Sequence, residues 1–155
     1  FGFTTVNEWV HLAVVTDETG VDGETSGGRP IMTKMYLNGE LKLSTTSHQD
    51  ASKPYAANSN NVPMVAFTGM SATGSRIEDK GANGSMKHLH IWNGAKTQDE
   101  IRQLMEYPEK VTGTESDLVC GWSFAKMALD DQDIKDLTGK YTARLVGDYS
   151  WIELE

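Results

Sequence analysis

The sequence predicts an all-β sandwich with one short helix. Three observations carry that expectation. Apolar, β-branched runs of five to eight residues alternate with Gly-, Asn- and Ser-rich turns. Asn38-Gly39 sits between two such runs, and the period changes from strand-like to helix-like only near residues 97–107. Short strands of this kind must bury one face against another layer, and sheet on sheet is the solution their number favours.

Taken in order, Phe1-Gly2-Phe3 reads as the inside of a strand, and Trp9 to Val15 as a strand buried on at least one face. A Gly- and acid-rich loop, residues 18–29, leads to a strand over Ile31–Leu37. Asn-Gly then closes a hairpin, because both central residues of a type I′ turn need positive φ. On the return strand, Leu41 and Leu43 are expected on one face, with Glu40 and Lys42 on the other. Residues 44–61 are polar and loop-like, Val62–Phe67 reads as a strand, and residues 68–84 as a second loop. Ser85–Trp92 is again a strand, with Leu89 and Ile91 on one side and Met86, His88, His90 and Trp92 on the other. Thr97-Gln98-Asp99-Glu100 is a capping box, Ile101, Leu104 and Met105 form the helix's apolar stripe, and Pro108 ends it. Strands are then expected at Leu118–Phe124, Tyr141–Val146 and Tyr149–Leu154, with Asp136-Leu137-Thr138-Gly139 as a turn.

Composition narrows the function. At 155 residues the chain suits one domain, and 38% apolar residues with 23% charged residues suit an ordinary globular core. A net charge of −8 works against a nucleic-acid backbone or an anionic membrane surface as partner. No apolar run approaches the roughly 20 residues that span a bilayer, so direct membrane insertion is not expected. The single cysteine, Cys120, rules out an internal disulfide and reads as a small buried hydrophobe within Leu118–Trp122. The sequence carries no initiator Met and no signal peptide, as expected of a mature or trimmed piece of a longer chain.

Three blocks resemble the laminin-G-like, concanavalin A-like jelly-roll family. Trp9-Val10-His11-Leu12-Ala13-Val14 is similar to its tryptophan-led strand, and Met35-Tyr36-Leu37-Asn38-Gly39-Glu40-Leu41 to its Asn-Gly hairpin. Gly84 to Trp92, with Asn93, Ala95 and Thr97 to Ile101, resembles its closing strand and helix. Leu118-Val119-Cys120-Gly121-Trp122-Ser123-Phe124, followed by Ile134-Lys135-Asp136-Leu137-Thr138-Gly139, is similar to the family's opening segment, so the usual order is reversed. Residues 1–107 are therefore expected to form the later strands of such a sandwich. Residues 118–155 form a C-terminal β segment that either completes the sandwich or belongs to an appended module. The overall pattern resembles multi-module surface proteins of gut Bacteroidetes, which implies an extracellular, cell-surface or periplasmic location and neighbouring domains in a larger chain. Trp9 and Trp122 match core positions of the family.

The resemblance implies glycan or polysaccharide as partner and calcium as the cofactor to consider. Calcium wants six to eight oxygens, and Asp17, Glu18, Asp22 and Glu24 place four carboxylates in eight residues. A solvated acidic loop is the competing reading, Asp17, Asp22 and Glu24 being the candidate ligands. Asp130, Asp131, Asp133 and Asp136 form a second acidic cluster for which turn and cap roles compete with metal binding. Lys87 stands where the family often carries an acid, which weighs against a cation there. His88 and His90 share a strand face and could hold zinc or nickel, but no third ligand lies nearby in sequence.

Sugar recognition needs aromatic faces beside amides and carboxylates. Tyr55 with Asn58, Asn60 and Asn61, flanked by His48 and Gln49, supplies that chemistry in one loop. Tyr149 and Trp151, with Glu153, are expected to share a strand face as a second candidate. Glycoside cleavage needs two carboxylates across the scissile bond, and Glu153 and Glu155 form a period-two acidic pair at the extreme end of the sequence. No catalytic motif of another class is present. The expected function is thus a non-catalytic carbohydrate-binding or adhesion module. The alternatives are a structural or protein-interaction sandwich and a fragment of a glycoside hydrolase or lyase.

Overall fold

A computed structural model describes residues 7–17, 29–49, 64, 66–67, 69–70, 76–77, 83–124 and 133–152. These residues form antiparallel sheets and one α-helix, the all-β class that the sequence predicts.

The first sheet runs β1 (Leu12–Asp17), β2 (Arg29–Leu37) and β3 (Glu40–Gln49), with β2 in the middle. Asn38 and Gly39 adopt φ of 50° and 73°, the handedness a two-residue hairpin needs. Asn38 does a second job: its Oδ1 accepts from the His11 amide and its own amide donates to the His11 carbonyl, both at 2.8 Å. The turn thereby pins the residue that leads into β1.

A bulge corrects the expected facing of the return strand. Met35 pairs with Leu43 but Tyr36 pairs with Leu41, leaving Lys42 as the extra residue. Successive side chains of β2 alternate, so Leu41 and Leu43 fall on opposite faces. Leu41 joins Val15, Lys34 and Tyr36 above residues 95–98, and Tyr36 is 4% exposed there. Leu43 joins Val14 and Leu12 on the other face, where they remain 42%, 57% and 45% exposed.

The tightest packing lies elsewhere. Strands β6 (His88–Trp92) and β7 (Leu118–Ser123) pair antiparallel, with Leu89 opposite Trp122 and Ile91 opposite Cys120. Between the first sheet and β6, a two-stranded ladder joins β4 (Gly69–Met70) to β5 (Arg76–Ile77) in a stretch that sequence assigns to loop. Beyond β7, the hairpin of β8 (Asp133–Lys135) and β9 (Thr142–Arg144) packs on the same core face. Cys120, Trp122 and Ile134 form the buried cluster, lined by Leu89, Ile91, Phe124, Leu145 and Trp151. The Trp122 indole donates to the Ile134 carbonyl at 3.1 Å, so the largest side chain buries no unpaired donor.

Helix α1 (Gln98–Glu106) begins with the predicted capping box. The Thr97 hydroxyl accepts from the Glu100 amide at 3.3 Å and the Glu100 carboxylate accepts from the Thr97 amide at 2.7 Å. Its face against the hairpin is held by Gln98 Nε2 donating to the Gly39 carbonyl and by Arg102 pairing with Glu40. A Cβ at Gly39 would meet Arg102 Cγ at 2.8 Å, so glycine serves both the turn and the helix contact. A 3₁₀ turn, Pro108–Lys110, follows the helix.

Three expectations need correction. Ala66 and Phe67 form a bend rather than the end of a strand, because Phe67 takes φ of 61°, outside the extended region; Val62, Pro63 and Val65 lie outside the described residues. Tyr149–Ile152 makes no ladder, since Gly147 at φ 91° turns the chain off the sheet edge; Glu153 and Leu154 lie outside the described residues. Trp9 precedes the start of β1 and is 54% exposed, so it is no core residue, whereas Trp122 is.

The C-terminal turn is built around Asp136, a 4% exposed carboxylate. It accepts from the amides of Tyr141, Thr138 and Gly121 and from the Thr138 hydroxyl, at 2.8, 3.1, 3.4 and 2.6 Å. Burial pushes its pKa up, but these four donors outweigh it and hold the group below the usual carboxylate range. Asp136→Ala strands the buried donors and is expected to cost about 2–4 kcal/mol in urea unfolding at pH 7. Asp136→Asn, which keeps one acceptor oxygen, is expected to cost less.

Candidate functional site

The chain folds a polar-rimmed, aromatic cleft between α1 and the end of β6. Its volume is about 500 Å³, and Trp92, Leu104, Tyr107 and Val111 give it an apolar lining. Local sequence explains each position. Trp92 ends β6 at a register shift that breaks the ladder after Ile91. Leu104 belongs to the stripe of α1, and Tyr107 is its C-cap, held by its own amide donating to the Gln103 carbonyl. Val111, 7% exposed, closes the 3₁₀ turn that Pro108 starts.

Each aromatic ring carries a lysine. Lys96 Nζ lies 4.2 Å from the Trp92 ring centroid and Lys110 Nζ 3.7 Å from that of Tyr107. The two lysines differ in their other partners. Lys96 is paired with Asp117 at 2.5 Å and its side chain is 17% exposed, while Lys110 forms no ion pair or hydrogen bond through its ammonium with any described residue.

The cleft's carboxylates are engaged with protein donors. Glu100 is bonded to the Thr97 amide, which holds it below its ordinary pKa. Asp117 is held low by the Lys96 ammonium. Burial pushes Glu115 up, but the amides of Thr112 and Gly113 and the Thr112 hydroxyl win and lower it. Beside the cleft, Glu106 accepts from the Tyr107 hydroxyl at 2.7 Å, which raises the phenol's pKa. Gln103 lines the cleft with its side-chain amide bonded to no described residue.

The sequence-predicted residues fall elsewhere. Tyr55, Asn58, Asn60 and Asn61 lie outside the described residues, as do Glu18, Asp22, Glu24, Asp130, Asp131, Glu153 and Glu155. The backbones of His48 and Gln49 end β3. Asp17 ends β1, half-buried and opposite Met32. Tyr149 is 46% exposed, whereas Trp151 packs against the Trp122 cluster. They therefore do not present the shared strand face expected of them, because the backbone leaves the ladder before Tyr149. Asp133 pairs loosely with Arg144 at 3.7 Å, and Asp136 is the turn anchor described above. Cys120 is 6% exposed, and burial pushes its thiol pKa up, the behaviour of a packing residue.

His88 and His90 share the face of β6 opposite the core, with ring centroids 6.0 Å apart. The fold brings His11 to the same place from the start of β1, close enough to act on His90 electrostatically. Among the described residues, no three His, Cys, Asp or Glu side chains are arranged to hold a metal ion. His11 Nδ1 and His90 Nε2 are buried without a hydrogen-bond partner, so the cluster favours neutral imidazoles.

Sequence reasoning missed the cleft itself. The available signal was spacing: an aromatic residue followed by lysine four residues on (Trp92, Lys96) and three residues on (Tyr107, Lys110). Both pairs fold into ring contacts.

Antiparallel sheets with one capped helix between β6 and β7 are consistent with a concanavalin A-like all-β fold. The chain belongs to the concanavalin A-like lectin/glucanase superfamily in its laminin-G branch, whose family profile matches residues 3–102. No curated protein and no solved structure matches the chain significantly.

The histidine cluster generates a pH prediction. Burial first, then the neighbouring His88 and His11 against the opposing Glu115, lowers His90 to about 4. The unfolded chain takes up this proton near pH 6.5, but the folded chain does not until about pH 4. Stability is therefore full above pH 6.5 and is lost as pH falls from there towards 4. Urea midpoints measured at pH 7.5, 6, 5 and 4.5 are expected to fall steadily, and His90→Gln to flatten that slope.

Proposed function

We propose that this domain binds carbohydrate without cleaving it, and that the cleft beside α1 is where it does so. The observation that carries this reading is the lining of the cleft, in which two aromatic rings, Trp92 and Tyr107, stand with apolar Leu104 and Val111 and with amide and charged groups. Sugar rings present apolar C–H faces to such planes and hydroxyls to such rims. Membership of a lectin/glucanase superfamily agrees with that chemistry, although one fold hosts many functions. The absence of cleavage is supported by the state of the acids. Glycosidic cleavage needs a carboxyl group kept protonated at working pH, and Glu100, Glu115 and Asp117 are all held in the ionised form.

Within this reading, calcium plays no part at the cleft. The candidate ligands Asp17, Asp22 and Glu24 remain a separate proposal for the 17–24 stretch. The parent protein is proposed to be secreted or surface-bound and to carry further domains, on the resemblance to multi-module surface proteins. Among the described residues no helix is long and apolar enough to cross a membrane.

A second reading is a protein-interaction module. It is favoured by one observation, the apolar face of the first sheet at Leu12, Val14 and Leu43. Retention on insoluble polysaccharides and a glycan array separates the two. Tyr107→Ala, at an exposed position, is expected to weaken glycan retention about tenfold, the size of one aromatic contact. Retention of no glycan at all leaves the interaction reading in place.

We also infer that residues 118–152 belong to the same folding unit as the family-matched segment. The pairing of β7 with β6 supports this, since Trp122 and Cys120 cover Leu89 and Ile91. A chain ended after Asp117 is expected to lose its cooperative urea transition, and a transition at the full-length midpoint would refute the inference.

A further inference from the structure

We propose that the cleft selects acidic sugars, glycans carrying uronate carboxylates, and that Lys110 is the residue that determines this preference. The proposal rests on the carbohydrate-binding reading and names its ligand class.

Most charged groups of the cleft already have partners. Glu100 serves the helix cap, Glu115 the amides of Thr112 and Gly113, and Asp117 the Lys96 ammonium. Glu106, next to Tyr107, accepts the hydrogen bond of the phenol hydroxyl. Each of these acids already accepts from at least one protein donor. On the donor side, Lys96 is fixed between the Trp92 ring and Asp117. Among the described residues Lys110 is held only by the Tyr107 ring face. A cation–π contact at an exposed site is worth about 0.5–1 kcal/mol, weaker than a charge-assisted hydrogen bond to a carboxylate.

A carboxylate entering the cleft therefore draws Lys110 off the ring. That motion has a second effect: it uncovers the face of Tyr107 for stacking. A uronate suits both changes at once, because its carboxylate sits at the rim of a pyranose ring whose C–H face is apolar. Gln103, whose amide is otherwise unbonded, can take a neighbouring hydroxyl. A neutral hexose offers the ring face but nothing that outcompetes Tyr107 for the ammonium, so it finds that face covered. The lining itself sets three ionised carboxylates, Glu100, Glu115 and Asp117, against Lys96 and Lys110, so the preference rests on the short contact Lys110 makes and not on net charge. The more distant charges of the −8 chain are screened beyond roughly 8 Å at physiological salt.

The test compares polymers of galacturonate and of glucuronate with their methyl esters, which keep the ring and remove the charge. Affinity electrophoresis and calorimetry on the full chain are run alongside neutral polysaccharides. The expected result is binding of at least one acid form about tenfold tighter than its ester, with the difference abolished in Lys110→Gln and retained in Lys110→Arg. Lys110 is exposed, and circular dichroism checks that both variants are folded. Equal binding of acid and ester, binding of neutral polysaccharides alone, or an unchanged preference in Lys110→Gln overturns this inference and leaves the carbohydrate-binding reading standing. Binding of no polysaccharide of either kind overturns both.

Discussion

The pairing of β6 with β7 is the constraint on which the rest of the structure depends. Its inner face supplies Leu89 and Ile91 to the cluster of Cys120, Trp122 and Ile134. Its outer face carries His88 and His90, which meet His11 from the start of β1. Its end places Trp92 beside α1, and the Asn93 amide extends the link by donating to the Asp117 carbonyl at 2.8 Å. One ladder thus fixes the core, the contact with the first sheet and one wall of the cleft. The closeness of this packing is visible at two glycines. A Cβ on Gly121 would meet His90 Cδ2 at 3.0 Å, and one on Gly113 would meet the Leu137 carbonyl oxygen at 2.1 Å. Gly113 also sits at φ 95°, where other residues are strained, so the connection into β7 admits no side chain at that point.

Electrostatics in this acidic chain are local. The carboxylates that carry structure are each matched by donors: Asp136 by the turn it organises, Glu100 by its cap, Glu115 by two amides. The consequence is an ordering in pH. The histidines begin to oppose folding below 6.5, while Asp136, whose pKa is depressed, gives stability above the ordinary carboxylate pKa that is lost as pH falls through its folded value. Acid therefore first strains the junction between the first sheet and β6. It reaches the C-terminal turn only at lower pH.

Sequence made the local chemistry legible and left the tertiary consequences hidden. The Asn-Gly hairpin, the capping box, the stripe through Ile101 and the burial of Cys120 and Trp122 all follow from residue type and spacing. The facing of Leu41 and Leu43 did not, because one bulge residue at Lys42 inverts a period-two pattern. Trp9 resembles a core tryptophan by motif, yet it lies before the ladder that would bury it. Tyr149 and Trp151 alternate like strand residues, but Gly147 diverts the backbone and sends only Trp151 to the core. The cleft was invisible for a different reason. Its walls come from β6, the end of α1 and the following turn, and only their packing turns two aromatic–lysine spacings into one concave surface.

The order in which β6 and β7 occur in the chain matters little to their pairing. An antiparallel ladder needs the right faces and register, and it is indifferent to which strand is made first. Here β6 precedes β7, joined through α1 and residues 107–117. The free energy of closing that connection rises only with the logarithm of its length. It is partly repaid by anchors along the way: Glu115 on Thr112 and Gly113, Lys96 on Asp117, and Asn93 on the Asp117 carbonyl. The same connection carries Tyr107, Lys110 and Val111. The segment that lets the two strands pair is therefore the segment that builds the far wall of the cleft.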